Sequence, residues 1–400
     1  MYQLNKLSFK NITMLKTIEY TITIFAWILS IIAIALHYTN NMLPTLQFIF
    51  ALLGLIVMAK MVGDETEELA EKSTEIIGGI LSAFCGNIPE LIFSIVALFN
   101  GEYSLLLATM FGSVVSNLLL VMGTSIIVGS YKNGFRQNFK HVEIHDLALL
   151  LLFGTSFLFI TTSTITNNSV VTILLCCILI ISLIVFTIYQ LTFDTNTLER
   201  VSSIRSLNYT PNLNTDDVSI PVIYDAETQS NEPNKNNSVN LPKPNILCDS
   251  SLYVNIFKLT IISVMVGLLS DIITQTCYSL SNQIGVSKEF IGFFVVAIAG
   301  NAAEHWTAIL AAYNNQIDLS ITIVESSAIQ ISCLIIPIVV LLSFSRQDIL
   351  WLQLNRYQNG MYFIAMFMLK YVVNDNKTNM VEGIFLTLLY LSMAIVYTSV

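Results

Sequence analysis

The chain has 400 residues, 54% of them hydrophobic and only 11% charged, with a mean hydropathy of +0.70. A soluble domain carries about a quarter charged residues, so this composition excludes a water-soluble globular protein and predicts an all-α membrane protein that crosses the bilayer many times. The net charge of −9 excludes a nucleic-acid binder, and much of it lies in one run, DETEELAEKSTE at 64–75, which points to cations instead.

The first apolar run opens near Ile18, after Lys6, Lys10 and Lys16. It is too long and unbroken for a signal-peptide core and no small-residue cleavage site follows it, so it reads as a span. About eleven runs are long enough to cross a ~30 Å hydrocarbon core as helices. They cover roughly 18–38, 44–62, 76–100, 103–130, 144–163, 170–193, 252–276, 286–313, 319–345, 356–373 and 380–399. Between the sixth and seventh lies a polar stretch, 195–250, rich in Asn, Ser, Thr and Pro, as in NEPNKNNSVNLPKPN (231–245). Such a segment cannot bury enough apolar surface to fold alone and reads as a flexible linker. Four regions follow: the N-terminus with span 1 (1–43), a first five-helix unit (44–194), the linker, and a second five-helix unit (251–400). Cys85, Cys176, Cys177, Cys277 and Cys333 fall in or beside apolar runs, as small packing groups rather than a disulfide framework. With the N-terminus in the cytosol, most Lys and Arg residues fall on the cytosolic side. Only Lys288, Arg346 and Arg356 fall opposite, which orients the N-terminus and linker to the cytosol and the C-terminus outward.

Two stretches inside the spans repeat. Gly86, Asn87 and Glu90 in GNIPE match Gly300, Asn301 and Glu304 in GNAAE at an offset of 214. The same offset carries Ser113 in FGSVVSN to Ser327 in ESSAIQI and sets Ser116 opposite Gln330. Two motif pairs in one register mark a duplicated unit. The GNxxE spans are the third and eighth, an odd number apart, so they enter the membrane from opposite faces. The expected fold is therefore 1+5+5 with two inverted-topology repeats, an arrangement used by secondary transporters with the site at the repeat interface.

The chemistry of the motif is that of a hard cation. An ionised Glu at bilayer depth costs about 2.5–3.5 kcal/mol on insertion scales, so a cation or a proton must neutralise it. Glu follows Asn by three residues, which puts both on one helix face. Gly86 and Gly300 allow close approach of helices, and Pro89 is expected to break span 3 and free a carbonyl. Ser113, Ser116 and Asn117, with Ser327 and Gln330, add oxygens or, alternatively, only pack. Two carboxylates with amide, hydroxyl and backbone oxygens suit Ca²⁺, which takes six to eight oxygen ligands. The metal-ligating pair is Glu90 and Glu304. A buried carboxylate pair can hold a divalent cation or protons but not both well, which is the core of an exchange mechanism. His305, opposite Leu91 in the repeat, is a candidate proton relay or a plain hydrogen-bonded histidine. Two further acids are singled out. Asp271 is a gating or a structural residue. Glu325 is either a third intramembrane carboxylate or a helix-end residue facing water. The run at 64–75 is a solvated face or a cation-concentrating funnel.

The segments GGILSAFCGNIPELIFSIVAL (78–98), FGSVVSNLLLVMG (111–123), FIGFFVVAIAGNAAEHWTAILAAYNNQIDL (290–319) and SSAIQISCLIIP (326–337), with GDETEELA (63–70), resemble the vacuolar calcium/proton exchangers of the cation/calcium antiporter superfamily. The resemblance implies a 1+5+5 helical bundle that moves cytosolic Ca²⁺ into an acidic vacuole against protons. It also implies Asn87, Glu90, Asn301 and Glu304 as central cation ligands. The chain departs from that family at Ile88-Pro89, where Ala-Thr is usual. Glu325 stands at a usually apolar position, and Ser326 takes the place of the glycine expected opposite Gly112. The linker lacks the family's dense acidic run.

The function expected is secondary active exchange of cytosolic Ca²⁺ for H⁺ by alternating access, in a vacuolar or other acidic-organelle membrane. The alternatives are exchange of Mn²⁺, Na⁺ or K⁺ by the same fold, or a passive cation channel. A hydrolase built on Glu304 and His305 would need a histidine pair or a serine–base arrangement that the sequence lacks, so the chain reads as a transporter and not an enzyme. The partners on this reading are the lipid bilayer, Ca²⁺ and H⁺, with a homo-oligomer left open. No cofactor is implied beyond the transported ion.

Overall fold

The computed structural model describes residues 21, 23–39, 43–72, 86–139, 142–164, 168–193, 250–346, 349–352 and 354–398. The N-terminal lysines, Cys85, the first half of the third expected span and all of the expected linker except Ser250 lie outside the described residues. The helices, in chain order, are α1 (Thr23–Thr39), α2 (Pro44–Glu71), α3 (Ile88–Phe99), α4 (Tyr103–Asn133), α5 (Val142–Thr164), α6 (Ser169–Phe193), α7 (Ser250–Ile284), α8 (Lys288–Gly300), α9 (Ala302–Tyr313), α10 (Ile317–Ser343), α11 (Arg356–Val373) and α12 (Met380–Tyr397). Two short strands, β1 (Arg136–Asn138) and β2 (Lys377–Asn379), pair antiparallel with Gln137 opposite Thr378.

Among the described residues six helices are long and apolar enough to cross a membrane, namely α2, α4, α6, α7, α10 and α12. They become seven if α8 and α9, bent by 56° at Asn301, count as one span. With backbone polar groups satisfied inside helices, this is the architecture hydrocarbon demands, and the chain is a multi-pass, all-helical membrane protein.

Burial sorts the helices. The most apolar window of α4 is 94% buried and that of α10 78%, whereas those of α6, α7 and α12 are 28%, 33% and 28% buried. A helix that is hydrophobic all round and wholly enclosed belongs at the centre of a bundle. α4 and α10 are therefore the central helices, and α6, α7 and α12 present Leu, Ile, Val and Phe outward, where lipid replaces protein. Phe111 of α4 packs edge-on against Phe159 of α5 and Tyr362 of α11, with ring centroids 4.9 and 5.4 Å away.

The two halves keep step. α3 and α9 start at Ile88 and Ala302, α4 and α10 at Tyr103 and Ile317, and α5 and α11 at Val142 and Arg356, each pair 214 apart. Both central helices contain a wide, π-type turn at matching depth, Ser116–Val121 in α4 and Ile331–Ile335 in α10. The duplication read from two short motifs thus extends to helix starts and to a local irregularity.

Close approach of α4 to α8 depends on a glycine from each helix, Gly112 and Gly292. A Cβ built on Gly112 would run into the Phe293 carbonyl, which is backbone and cannot swing aside. Gly112→Ala is expected to lower the stability of the detergent-solubilised protein by about 1–3 kcal/mol, the usual cost of overpacking, read as a fall in melting temperature. An unchanged melting curve would show that α8 does not sit where described.

Candidate functional site

In both GNxxE motifs the asparagine stands immediately before the helix that carries the glutamate. Asn87 (φ −103°, ψ 30°) stands before α3, and Asn301 (φ −76°, ψ 15°) separates α8 from α9. The carboxylate three residues on then sits in the first turn of the helix that follows, Glu90 in α3 and Glu304 in α9. Unpaired N–H groups and the helix dipole favour negative charge there. Pro89 was expected to break the span from within. Instead it occupies the first turn of α3, where its missing N–H would have no intrahelical partner anyway. The second half bends at the matching asparagine with Ala303 in place of the proline, so that bend needs no proline; residues 73–85, ahead of Gly86, lie outside the described residues.

The two acids come together between the halves. Glu90 is 5% exposed, and neither carboxyl oxygen has a hydrogen-bond partner. Its carboxyl group lies against Gly300 of the opposite motif, where an added Cβ would stand 3.1 Å from Oε1. Glu304 is half-buried, its Oε2 enclosed without a partner, and it lies close enough for the Glu90 charge to act on it.

Amides and hydroxyls fasten the halves around this pair. Asn87 Nδ2 donates to Gln330 Oε1 (2.6 Å), and Ser327 Oγ donates to Asn87 Oδ1 (2.9 Å). Asn117 Nδ2 donates to Ser327 Oγ (2.8 Å). In the mirror position Asn301 Nδ2 donates to the Ser113 carbonyl (3.1 Å), while Asn301 Oδ1 and Ser113 Oγ are buried without partners. Ser116 opens the wide turn of α4, fully buried, and Gly86 stands half-buried in the turn before Asn87. The two motifs are thus not equivalent. Asn87 uses both ends of its amide on protein groups, and Asn301 keeps its oxygen free.

The remaining sequence candidates separate. His305 lies beside α4, its Nε2 3.0 Å from Thr124 Oγ1. The Thr124 hydroxyl also lies 2.7 Å from the Leu120 carbonyl, so it bridges the imidazole to the backbone of α4. Asp271 accepts from Asn100 Nδ2 (2.8 Å) and Gln275 Nε2 (2.9 Å). Asn100 follows α3, so this acid ties α7 to the far end of α3, roughly 15 Å along that helix from Glu90, and it does not reach the pair. Of the two readings of Glu325 the structure has the buried one: it is 2% exposed, with Oε2 2.6 Å from His145 Nδ1. His145 was not foreseen. It belongs to no motif and stands 180 residues from its partner; an ionisable residue at the mouth of an apolar run was its one signal. The described acids of the run at 64–75 are largely matched by lysines, as Lys60–Asp64 (2.8 Å), Lys258–Glu65 (3.2 Å) and Lys72–Glu68 (2.8 Å). That favours the solvated face over the funnel; Ser73, Thr74 and Glu75 lie outside the described residues.

Comparison with known proteins places the chain in a family. The family described as sodium/calcium exchanger protein matches residues 43–192 and 254–398. The vacuolar cation/proton exchanger 1c of rice (Oryza sativa subsp. japonica) is 27% identical over 358 residues, covering 88% of this chain and 74% of the relative. The Ca²⁺/H⁺ antiporter ChaA of Bacillus subtilis is 30% identical over 370 residues, covering 92% and 95%. The solved structure of native YfkE superposes with a TM-score of 0.72 at 26% identity, over 96% of this chain and 100% of that one.

The Asn87–Ser327 bond makes a quantitative expectation. In a double-mutant cycle of Asn87→Ala and Ser327→Ala, read by unfolding of the solubilised protein, the two changes should be non-additive by about 1 kcal/mol. Strict additivity would place the two side chains out of contact.

Proposed function

The chain belongs to the sodium/calcium exchanger family, and from that premise we propose that it exchanges cytosolic Ca²⁺ for protons across the membrane of an acidic organelle. The observation that carries this reading is the Glu90–Glu304 pair. Three of its carboxyl oxygens are buried without any protein partner, at the junction of two halves that share one register. Carboxylates in such a place must be neutralised from outside the protein. A Ca²⁺ ion does so by taking both at once, and protons do so singly.

The ligand set on this reading is Glu90 and Glu304, with the free Asn301 Oδ1 and the Ser113 hydroxyl beside them. Asn87 acts less as a ligand than as a fastener, since Ser327 and Gln330 already engage it. Ca²⁺ accepts such a mixture of hard oxygens in flexible geometry. His305, an imidazole one residue from Glu304, is the group that would pass protons to and from the pair. The domain plan that goes with it is 1+5+5. Span 1 stands outside two inverted five-helix repeats (44–194 and 251–400), and the cytosolic linker 195–250 joins them. Repeats of opposite topology around one site give two mirror-related states, one open to each side, which is alternating access. The acidic-organelle location follows the vacuolar relative. The wider name of that relative, a cation/proton exchanger, makes Mn²⁺ the first competitor to test.

Radiolabelled Ca²⁺ uptake into acid-loaded vesicles tests the proposal. The wild type is expected to accumulate Ca²⁺ uphill only while the pH gradient lasts. Glu90→Gln and Glu304→Gln should each fall to the level of empty vesicles, and undiminished uptake by both would remove the mechanism. Uptake that merely equilibrates, gradient or not, would make the protein a channel. Gly300→Ala, whose methyl would crowd the Glu90 carboxyl, should raise the half-saturating Ca²⁺ several-fold while leaving the protein folded. Acidifying the Ca²⁺-loading side should also raise it without lowering the maximal rate, because protons and Ca²⁺ compete for the same oxygens.

A further inference from the structure

The Glu325–His145 couple has no part in the exchange just described, yet it is the most thoroughly enclosed acid–base contact among the described residues. The two side chains are 3% and 1% exposed, and Glu325 Oε2 meets His145 Nδ1 at 2.6 Å. Phe139 closes the site edge-on against the imidazole, with centroids 5.6 Å apart. Glu325 belongs to α10 and His145 to α5, so the contact joins the second half of the chain to the first.

Its position on α10 gives it a consequence for the cation site. At 3.6 residues per turn, Ser327 and Gln330 lie roughly 200° and 140° around the helix from Glu325. Glu325 therefore faces away from them, toward α5, while they face Asn87. A buried acid with one partner tolerates little rotation, because any turn of the helix strips it of that partner and leaves it alone in apolar surroundings. The wide turn at Ile331–Ile335 begins right after Gln330. It loosens the link to the rest of α10, so packing beyond it does not by itself set the rotation of Ile317–Gln330. The first half solves the same problem differently. The residue matching Glu325 there is Phe111, held by the rings of Phe159 and Tyr362.

We propose that Glu325 and His145 form a clamp between the halves that sets the rotation of α10, and so the placing of Ser327 and Gln330 on Asn87. They are positioning residues for the cation site. The inference rests on the cation site proposed above.

The test uses full-length protein, with Ca²⁺ binding measured on the purified protein and proton-driven uptake in vesicles. Glu325→Gln and His145→Gln are each expected to raise the half-saturating Ca²⁺ about tenfold or more, as ångström-scale misplacement of a site does. Exchanging the partners, His145→Glu with Glu325→His, re-forms the contact and should recover most of the loss. Tyr362→Phe cuts the links of its hydroxyl to Ser332 and Thr155, both 3.0 Å, on the same side of α10. It should lower the melting temperature and leave Ca²⁺ binding as in the wild type, separating general loosening from the clamp. If a glutamine variant does not accumulate, Glu325→Asp, which keeps the charge and shortens its reach, takes its place with the same expected shift. Wild-type affinity in the single variants, or an equal shift in Tyr362→Phe, would overturn the clamp while wild-type uptake stands. Absence of Ca²⁺ binding in the wild type would instead overturn the cation site itself.

Discussion

An apolar bundle that encloses carboxyl oxygens without giving them donors accepts a standing cost of about 1–3 kcal/mol for each unsatisfied group. Glu90 is the clearest instance. Both of its oxygens are enclosed, and the nearest feature of the opposite motif is a glycine, which offers space and no donor. Around it several polar groups are used on one another. Asn87, Ser327, Gln330 and Asn117 are joined by hydrogen bonds, and none is spent on Glu90. On the exchange reading the arrangement stays incomplete until a charged species enters, which makes the ion part of what stabilises the site.

The duplication supplies the geometry, and departures from it supply the direction. Helix starts and wide turns agree between the halves, but Glu90 is sealed while Glu304 is half-buried. Asn87 is engaged at both ends of its amide, while Asn301 Oδ1 is free. Leu91 stands where the second half has His305, and Phe111 where it has Glu325. A symmetric pair would offer the same face to both sides of the membrane. On the alternating-access reading, these differences give one conformation in which the second motif is the more accessible, and the motion of transport would exchange the two environments.

Much of this was legible in the sequence, because hydrocarbon imposes strict rules. Long apolar runs had to be helices, and the described helices fall in the expected segments from Thr23 to Tyr397. Glu in those runs had to be functional or paired, and the GNxxE register named residues that the fold sets side by side, Glu90 against Gly300 and Asn87 against Ser327. What escaped were contacts that depend on rotation about a helix axis. Nothing in IVESS (323–327) says whether the Glu325 carboxyl faces water, the acid pair or α5; only the packing of α10 decides, and it selected His145. Pro89 misled for a related reason, since a proline is disruptive inside a helix and harmless in its first turn. The acidic run left two readings open, because counted as letters it is a negative patch; in space Lys60, Lys72 and the distant Lys258 neutralise much of it, which favours the solvated face.

The wide turns explain how one helix serves two demands. A π-type turn holds an extra residue, which rotates everything after it by roughly 100° relative to a regular helix. In α4 it begins at Ser116, after Ser113 has been presented to Asn301, and in α10 at Ile331, after Ser327 and Gln330 have been presented to Asn87. Small polar residues thus face the site on one side of the turn. Beyond it Met122 and Ile126 of α4, and Ile336, Val339 and Val340 of α10, are buried in the apolar core. A straight helix of the same sequence would have to swing one set or the other out of place. On the exchange reading, placing the irregularity next to Ser113, Ser327 and Gln330 keeps the apolar packing continuous and leaves Asn301 Oδ1 and Ser113 Oγ free beside the acids.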